Sequence, residues 1–528
     1  RRSEQGHSSF RRMTRYEYNY ALQDLLGLPY DFARDLPPET YSEDGFENSS
    51  EMLQMSVMQF ETYRELGRKA LRKSTVRGPR PEMIYYGIPM AAGAAQMQAV
   101  YNADVEKARK DHENDPEALE KALERIAKRH DFSPSNTHFV NLNTNEGIKA
   151  TWRYSGARQA YKPSLIRPEV PAVSPEVLII PANQEQTIDL GDMLPETGIL
   201  RVRVRASHDS TEEGRFPSLR LNFGNQPSNN SETTVRVEYP DIAIQSSPEQ
   251  PQFYQWDIPL SEYPRNLYRG VTKMGDTPNP TEYLVFQNVT QSPPEGSKAN
   301  IQIDYLEITT PYYEQWPPES HTRIFIERKN QANETAYVRE VLVNFMPRAW
   351  RRFVTDSEID QKLDLFTKVR PISEDFQEAM IEVLATVLAS PKFLYLVQED
   401  PAIPGVDVLS DYELATRLSM FLWCSTPDDE LLELAANKKL NDPKVLTRQT
   451  QRMLAAPRSH RFAKHFVRQW LGMQLLDFLK VEEESYPQFD TELKEAMQEE
   501  PIALFKEVLK NNRSVLDFLH ADYTLANE

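Results

Sequence analysis

The sequence predicts a multidomain protein of α and β structure, with all-helical modules at both ends and an inserted jelly-roll-type β-sandwich. Two periodicities and one recurring device predict it. Apolar residues recur three and four apart before residue 75 and after residue 313, as on one face of a helix. Between 170 and 312 they alternate, as on one face of a strand. The device is a capping box, Ser or Thr followed three residues later by Glu or Gln, set ahead of an amphipathic run.

Residues 1–75 form the N-terminal helical module. Thr14 and Glu17 make its first capping box, ahead of Tyr18, Leu22, Leu25 and Leu26, with Gly27 as the stop. After a loop rich in Pro, Asp and Glu, Ser56 with Gln59 opens a helix carrying Phe60, Tyr63 and Leu66 or Gly67. The Asp44-Gly45-Phe46 turn is expected to plug Phe46 into the groove between these helices. Residues 76–169 read as a mostly helical or irregular insertion. Its charged stretch 103–130 restarts at Asp115-Pro116 and has only a thin apolar stripe, Leu119, Leu123 and Ile126, so it should lie at the surface. His112, His130 and His138 match no metal spacing and read as surface histidines.

Residues 170–312 change period. Leu200, Val202 and Val204 alternate with Arg201, Arg203 and Arg205, and similar alternation holds at Leu219, Leu221 and Phe223 and at Val235, Val237 and Tyr239. Further runs at 177–180, 186–190, 253–258, 282–288 and 301–308 bring the count to about eight short strands, which suits a jelly roll. Residues 313–405 are helical again. Val338, Leu342 and Phe345 share a face, Thr355 and Glu358 form a third capping box, and Phe376, Met380, Leu384, Val387 and Leu388 line a helix that ends at Ser390-Pro391.

Residues 406–528 form a C-terminal helical module that is expected to continue past the end of the chain. Ser410 and Glu413 cap a helix whose stripe is Leu414, Leu418, Phe421 and Leu422. Thr426 as cap, Pro427 at the first position and Asp428, Asp429 and Glu430 in the first turn start the next, with Trp423 inside the corner. Asp442-Pro443 starts another. Phe462, Phe466, Trp470 and Leu471 mark the helix after Pro457, and Leu493, Met497, Leu504, Phe505 and Val508 mark those that follow.

Composition bounds the function. At 528 residues the chain has room for about two to four domains. A net charge of −18 argues against a nucleic-acid partner, because phosphate requires a basic surface. Basic clusters such as Arg64, Arg68, Lys69, Arg72 and Lys73 read as solvated helix faces, with docking to an acidic partner as the alternative. Cys424 is the only cysteine, so an internal disulfide, a Cys-rich zinc site and a Cys-x-x-Cys-His haem attachment are excluded within this chain. No metal site and no cofactor of its own are expected. No apolar run has the length of a membrane span. The opening Arg-Arg-Ser-Glu is not a signal peptide, as in a mature or trimmed chain.

Four places carry residues of the types that do chemistry. Asp428 and Asp429 could serve acid–base work or hold a cation, against the ordinary role of acidic residues at a helix start. His460 and His465 lie five apart, on different parts of a helix, so a joint metal site is not expected; a basic face with Arg461, Lys464 and Arg468 is. Arg351 and Arg352 could clamp an anion beside Trp350 and Phe353, or bridge helix ends. Trp256, Tyr254, Tyr263, Tyr268 and Tyr283 could stack on sugar rings, with Arg203 and its neighbours giving polar contacts; the alternative is sheet packing. No Gly-rich phosphate loop, Gly-x-Ser-x-Gly elbow or His-Glu-x-x-His is present.

Three sets of segments carry a family resemblance. They are Arg12-Met-Thr-Arg-Tyr-Glu-Tyr-Asn19 with Asp24-Leu-Leu-Gly27 and Asp44-Gly-Phe-Glu-Asn48; Arg348-Ala-Trp-Arg-Arg-Phe-Val-Thr355 with Leu388-Ala-Ser-Pro-Lys-Phe-Leu-Tyr395; and Leu409 to Trp423 with Pro427-Asp-Asp-Glu-Leu431 and Ala521-Asp-Tyr-Thr524. In this order they resemble large exported planctomycete-type proteins of uncharacterised function, whose helical modules carry domain-of-unknown-function labels. The resemblance implies export, to the periplasm or cell surface. It implies a carbohydrate-binding-like sandwich at 170–312, and a c-type cytochrome domain ahead of the first helical module. It carries over no catalytic residue. This chain has no haem motif before Arg11 and stops just past Asp522-Tyr523-Thr524, so haem c is expected only on a domain absent from it.

The expectation is therefore an extracytoplasmic binding and scaffold protein of the cell envelope, its sandwich engaging a glycan or a protein partner. The alternatives are a redox enzyme subunit working with a haem domain elsewhere, and a hydrolase using Asp428 or Asp429.

Overall fold

The computed structural model describes residues 10–50, 52–150, 160–211, 216–226, 235–265, 281–290, 296–327, 333–397, 409–481, 486 and 491–525. The chain is a multidomain protein of helices and sheets. It divides into a helical unit, Arg1–Gly78 with Gln315–Asn527, and a sheet unit spanning residues 79–314.

The helical unit begins with β1 (Arg11–Arg12), α1 (Arg15–Leu26) and α2 (Val57–Ser74). The sheet unit follows with β2 (Ile84–Pro89), α3 (Met90–Asp111), α4 (Pro116–His130), β3 (His138–Asn141), β4 (Gly147–Lys149), β5 (Glu176–Ile180), β6 (Glu185–Gly191), β7 (Ile199–His208), β8 (Ser218–Gln226), β9 (Val235–Glu238), β10 (Ile242–Ala243), β11 (Gln252–Pro259), β12 (Thr281–Asn288) and β13 (Ile301–Tyr312). The chain then returns to the helical unit with α5 (Glu319–Thr322), α6 (Glu334–Trp350), α7 (Asp356–Val369), α8 (Phe376–Leu388), α9 (Pro391–Leu394), β14 (Tyr395–Leu396), α10 (Asp411–Leu422), α11 (Asp429–Ala436), α12 (Pro443–Ala455), α13 (Ser459–Trp470), α14 (Thr491–Lys510) and α15 (Asp517–His520).

In the sheet unit a seven-stranded antiparallel sheet runs β11-β7-β13-β5-β3-β4, with β2 also on β13. A five-stranded sheet runs β10-β8-β12-β6, with β9 on β8. Both feed one core: Leu200, Val202 and Val204 of β7 meet Leu219, Leu221 and Phe223 of β8. The opposite face of β7 is charged and is answered across the strands. Arg201 pairs with Asp257, Arg203 with Glu307 and Arg205 with Asp304.

Residues 76–169 correct the expectation of a separate insertion. They contain the helices α3 and α4, but they also supply β2, β3 and β4 to the seven-stranded sheet. The strand at 84–89 is hidden in the sequence by flanking prolines and is made by pairing with β13, Tyr86 opposite Ile308. Gly87 is needed there, because a Cβ would lie 2.8 Å from both Pro168 Cβ and the Tyr305 hydroxyl. Nor are His130 and His138 surface residues. Both are buried, His130 Nε2 against Asp104 at 3.2 Å and His138 Nδ1 against the Asn136 carbonyl at 2.6 Å.

In the helical unit, residues 1–75 and 313–405 were expected as separate modules but share one core. Tyr18, Leu22 and Leu71 pack in the same cluster as Val338, Phe345, Leu384 and Leu388. All four capping boxes form, at Thr14/Glu17, Ser56/Gln59, Thr355/Glu358 and Ser410/Glu413. Trp423 is buried in its corner and donates Nε1 to the Met453 carbonyl at 3.0 Å. The helix after it starts later than expected. Asp428 rather than Thr426 is the cap, accepting from Leu431 N at 3.0 Å, and Pro427 lies before the helix. In α10 the buried face is Ala415, Ser419, Met420 and Leu422, so Phe421 is not on the core stripe.

One side chain holds the middle of this unit. Arg351 closes α6 in the left-handed conformation, φ 59°, and the residue is 4% exposed. It donates to four carbonyl oxygens, of Ala349, Lys392, Phe393 and Tyr395. It thus bridges elements, one of the two roles its sequence context allowed. Replacing it with Met keeps the length and removes every donor. Arg351→Met is expected to cost about 3 kcal/mol or more, because the carbonyls stay buried without partners. An unchanged denaturant midpoint would contradict this account.

Candidate functional site

Three of the four helix starts that carry a capping box converge on one cavity of about 1060 Å³ in the helical unit. Tyr16 and Glu17 line it from the start of α1, Thr355 and Glu358 from α7, and Ser410, Tyr412 and Glu413 from α10. In each box the Glu carboxylate accepts from the cap's backbone N–H. The distances are 2.8 Å at Thr14, 3.0 Å at Thr355 and 2.8 Å at Ser410. Five of the residues singled out in the sequence as structural punctuation, Glu17, Thr355, Glu358, Ser410 and Glu413, are therefore also wall residues.

The rest of the lining is aromatic and cationic. Phe462 lies 4.8 Å from Phe421 and 5.5 Å from Phe466, and Phe46 stacks on Phe466 at 6.1 Å, centroid to centroid. Phe46 is thus a wall of the cavity and not, as expected, a plug between α1 and α2. Phe421 and Phe353 are 60% and 66% exposed. Apolar rings that open onto a concave space are the usual material of an organic-ligand site.

Five lining residues are cationic, Arg11, Arg351, Arg352, Lys392 and Arg417, against the three glutamates of the boxes. Glu17 is buried. Burial alone would raise its carboxyl, but Arg11, donating both terminal nitrogens at 2.7 and 2.8 Å, holds it below the ordinary value. Arg352 holds Glu358 well below the carboxylate range, and Lys392 adds to this from the other side. Burial lowers Arg351 to about 10, so it remains charged at neutral pH. Cys424 also lines the cavity; burial, with Glu17 nearby, pushes its thiol up, which disfavours the thiolate form.

His465 forms a partition. Its ring stacks on Tyr16 at 3.8 Å, its Nε2 lies 3.1 Å from the Tyr20 hydroxyl, and with Tyr16 and Gln469 it also borders a second hollow of about 380 Å³. Its edge reaches the cavity, yet protein encloses the ring. Burial, then Lys464, pushes its pKa down to about 3. Sequence spacing treated His465 only as part of a basic face. Nothing local in the sequence brings it to Tyr16, which is 449 positions away.

The other sequence candidates sit elsewhere. Asp428 caps α11 and takes a two-point ion pair from Arg452 at 2.7 and 3.1 Å. With Asp429, which is exposed, it borders a polar hollow of about 630 Å³ lined by four arginines and four acidic residues. The helix-start role accounts for the Asp428 contacts. In the sheet unit Trp256 is buried and donates Nε1 to the Pro240 carbonyl at 3.1 Å. The Tyr254 hydroxyl accepts from Gln245 N and Ser246 N at 2.9 and 3.1 Å. Arg203 is paired with Glu307 and lies over Phe253 at 4.3 Å. Tyr283 is buried, Tyr263 packs on Tyr239, and Tyr268 lies outside the described residues. No group of three or more His, Cys, Asp or Glu among the described residues could hold a metal ion, and no helix among them is long and apolar enough to cross a membrane.

Three models of planctomycete-type families match this chain, all of unknown function. Residues 11–76 match PSD3 (DUF1587), 337–398 match PSD5 (DUF1595) and 409–528 match PSD4 (DUF1592). No curated protein matches it. Every residue that lines the large cavity falls inside one of the three matched segments, and each segment contributes.

The His465 environment gives a pH test. Its ordinary value is 6.5 and its folded value about 3, so between these limits the unfolded chain holds one proton more than the folded one. Stability from this group is complete above 6.5 and falls with decreasing pH by about 1.4 kcal/mol per unit. His465→Phe keeps the stack on Tyr16 and loses the Tyr20 contact. Its deficit at pH 7 is expected to shrink and reverse between pH 6 and 4, read from denaturant midpoints; a constant deficit would show that the ring titrates normally.

Proposed function

We propose that the protein is a binding and scaffold protein whose ligand site is the aromatic cavity of the helical unit. One observation carries the reading. Three matched segments, distant in sequence, each give lining residues to one concave site in which two phenylalanines, Phe353 and Phe421, are left exposed. Apolar rings gathered around one concave space are the usual lining of an organic-ligand site.

The sheets sharing one core, with antiparallel strands throughout, support reading residues 170–312 as part of a jelly-roll-type sandwich. Sugar recognition by Trp256, Tyr254 and Arg203 draws less support, because Trp256 is buried, the Tyr254 hydroxyl is held by two backbone amides, and Arg203 is paired with Glu307 over Phe253. That moves the binding role to the helices. Placement in the cell envelope, a glycan partner and association with a haem domain rest on the family resemblance alone.

The test is a titration of the full chain with 1-anilinonaphthalene-8-sulfonate. One saturable site per chain is expected, weakened at least about tenfold in Phe421→Asp without loss of melting temperature, since the ring is already exposed. Absence of saturable binding, or binding indifferent to Phe421→Asp, would remove the cavity as the site.

A further inference from the structure

We infer that the cavity selects organic anions: flat or apolar bodies that carry a carboxylate or similar acid group. The inference rests on the cavity being a ligand site and goes on to name what enters it. Three facts point the same way. First, the chain as a whole is strongly acidic, at −18, yet the cavity lining carries two more cations than carboxylates. Second, the carboxylates are already engaged. Glu17, Glu358 and Glu413 each accept from the backbone N–H of their own helix cap, so they are fixed as wall and not turned toward a ligand. Third, one carboxylate serves two cations at one part of the wall. Glu358 is shared by Arg352 and Lys392, and it cannot neutralise both.

That cationic part has a defined shape. Lys392 Nζ lies 4.7 Å from the centroid of the Trp350 ring and the Arg352 guanidinium 5.4 Å from it, with the Lys392 side chain 45% exposed. An acid group of a ligand reaching this spot meets a point charge and the start of α7, whose dipole also favours negative charge. The Phe421, Phe462 and Phe466 rings supply the apolar surface for the body of the same ligand. A neutral ligand of the same shape would use the rings and leave the excess charge unanswered. A cationic one would meet like charge. Low-dielectric walls strengthen both preferences.

The experiment compares three probes of one shape on the full chain by calorimetric titration: 2-naphthoate, its neutral amide 2-naphthamide, and the cation 2-naphthylmethylamine. Naphthoate is expected to bind at least about tenfold tighter than the amide, and the amine weakest, with the acid's advantage shrinking as salt rises. In Lys392→Gln the acid and the amide should converge. Equal affinity of acid and amide in the wild-type chain, or preference for the amine, overturns the inference while leaving the cavity a ligand site. An acid preference untouched by Lys392→Gln in a variant of unchanged melting temperature also overturns it, because the charge would be read elsewhere. Failure of all three probes removes the cavity reading itself. The wild-type comparison stands on its own if the variant does not fold.

Discussion

A buried guanidinium with no carboxylate of its own organises the helical unit. Burying such a charge is unfavourable unless its donors are satisfied, and at Arg351 backbone carbonyls satisfy them. The consequence spreads through the chain. The carbonyls belong to Ala349 in the last turn of α6 and to Lys392, Phe393 and Tyr395, so α6 and the segment 391–396 are tied together. That segment then pairs with the first strand, Arg12 opposite Tyr395 and Arg11 opposite Leu396, and Met13 N donates to the Leu394 carbonyl at 2.8 Å. With β1 fixed, Arg11 is aimed at Glu17 and α1 begins where it does. The left-handed backbone at 351 is tolerated by a residue other than glycine because the side chain is held so firmly.

The same chain of contacts explains the position of the cavity. Arg11, Glu17, Lys392 and the β14 residues Tyr395 and Leu396 form part of its wall, and α7 and α10 present their starts to it. Helix starts are where backbone N–H groups lack partners, and here glutamates in capping boxes supply them. Those glutamates then hold arginines and a lysine around the space. A local solution to a local problem, repeated in three helices, thereby sets the electrostatics of a site assembled over long range.

The sequence showed most where physics is local. Thr14 with Glu17, Thr355 with Glu358 and Ser410 with Glu413 need nothing beyond their own first turn, and all formed. The alternation from Ile199 to Ala206 reads directly as β7, since it reports a sheet with one apolar face. The reading failed where partners are distant. Residues 84–89 and 138–141 are strands because β13 and β5 offer them edges, and their own pattern is too short to say so. Phe421 looks like a core residue by spacing, yet faces the cavity, because helical period cannot tell core from pocket wall. The cavity itself was invisible: Tyr16, Phe46, Arg352 and His465 have no common motif. The useful signal was present in another form, since three of the four capping boxes give their glutamate to the same space.

The core shared by α1, α2, α6 and α8 is interrupted in sequence by the whole of residues 79–314. On a ribosome moving at about 5–20 residues per second, this stretch takes roughly 10 to 50 s to emerge. For that time Tyr18, Leu22 and Leu71 have no counterparts to bury them, while the sheet-forming stretch gathers its own strands. The core of the helical unit can therefore close only after the whole sheet-forming stretch has been made, and until then the apolar faces of α1 and α2 lack the surfaces of α6 and α8 that cover them.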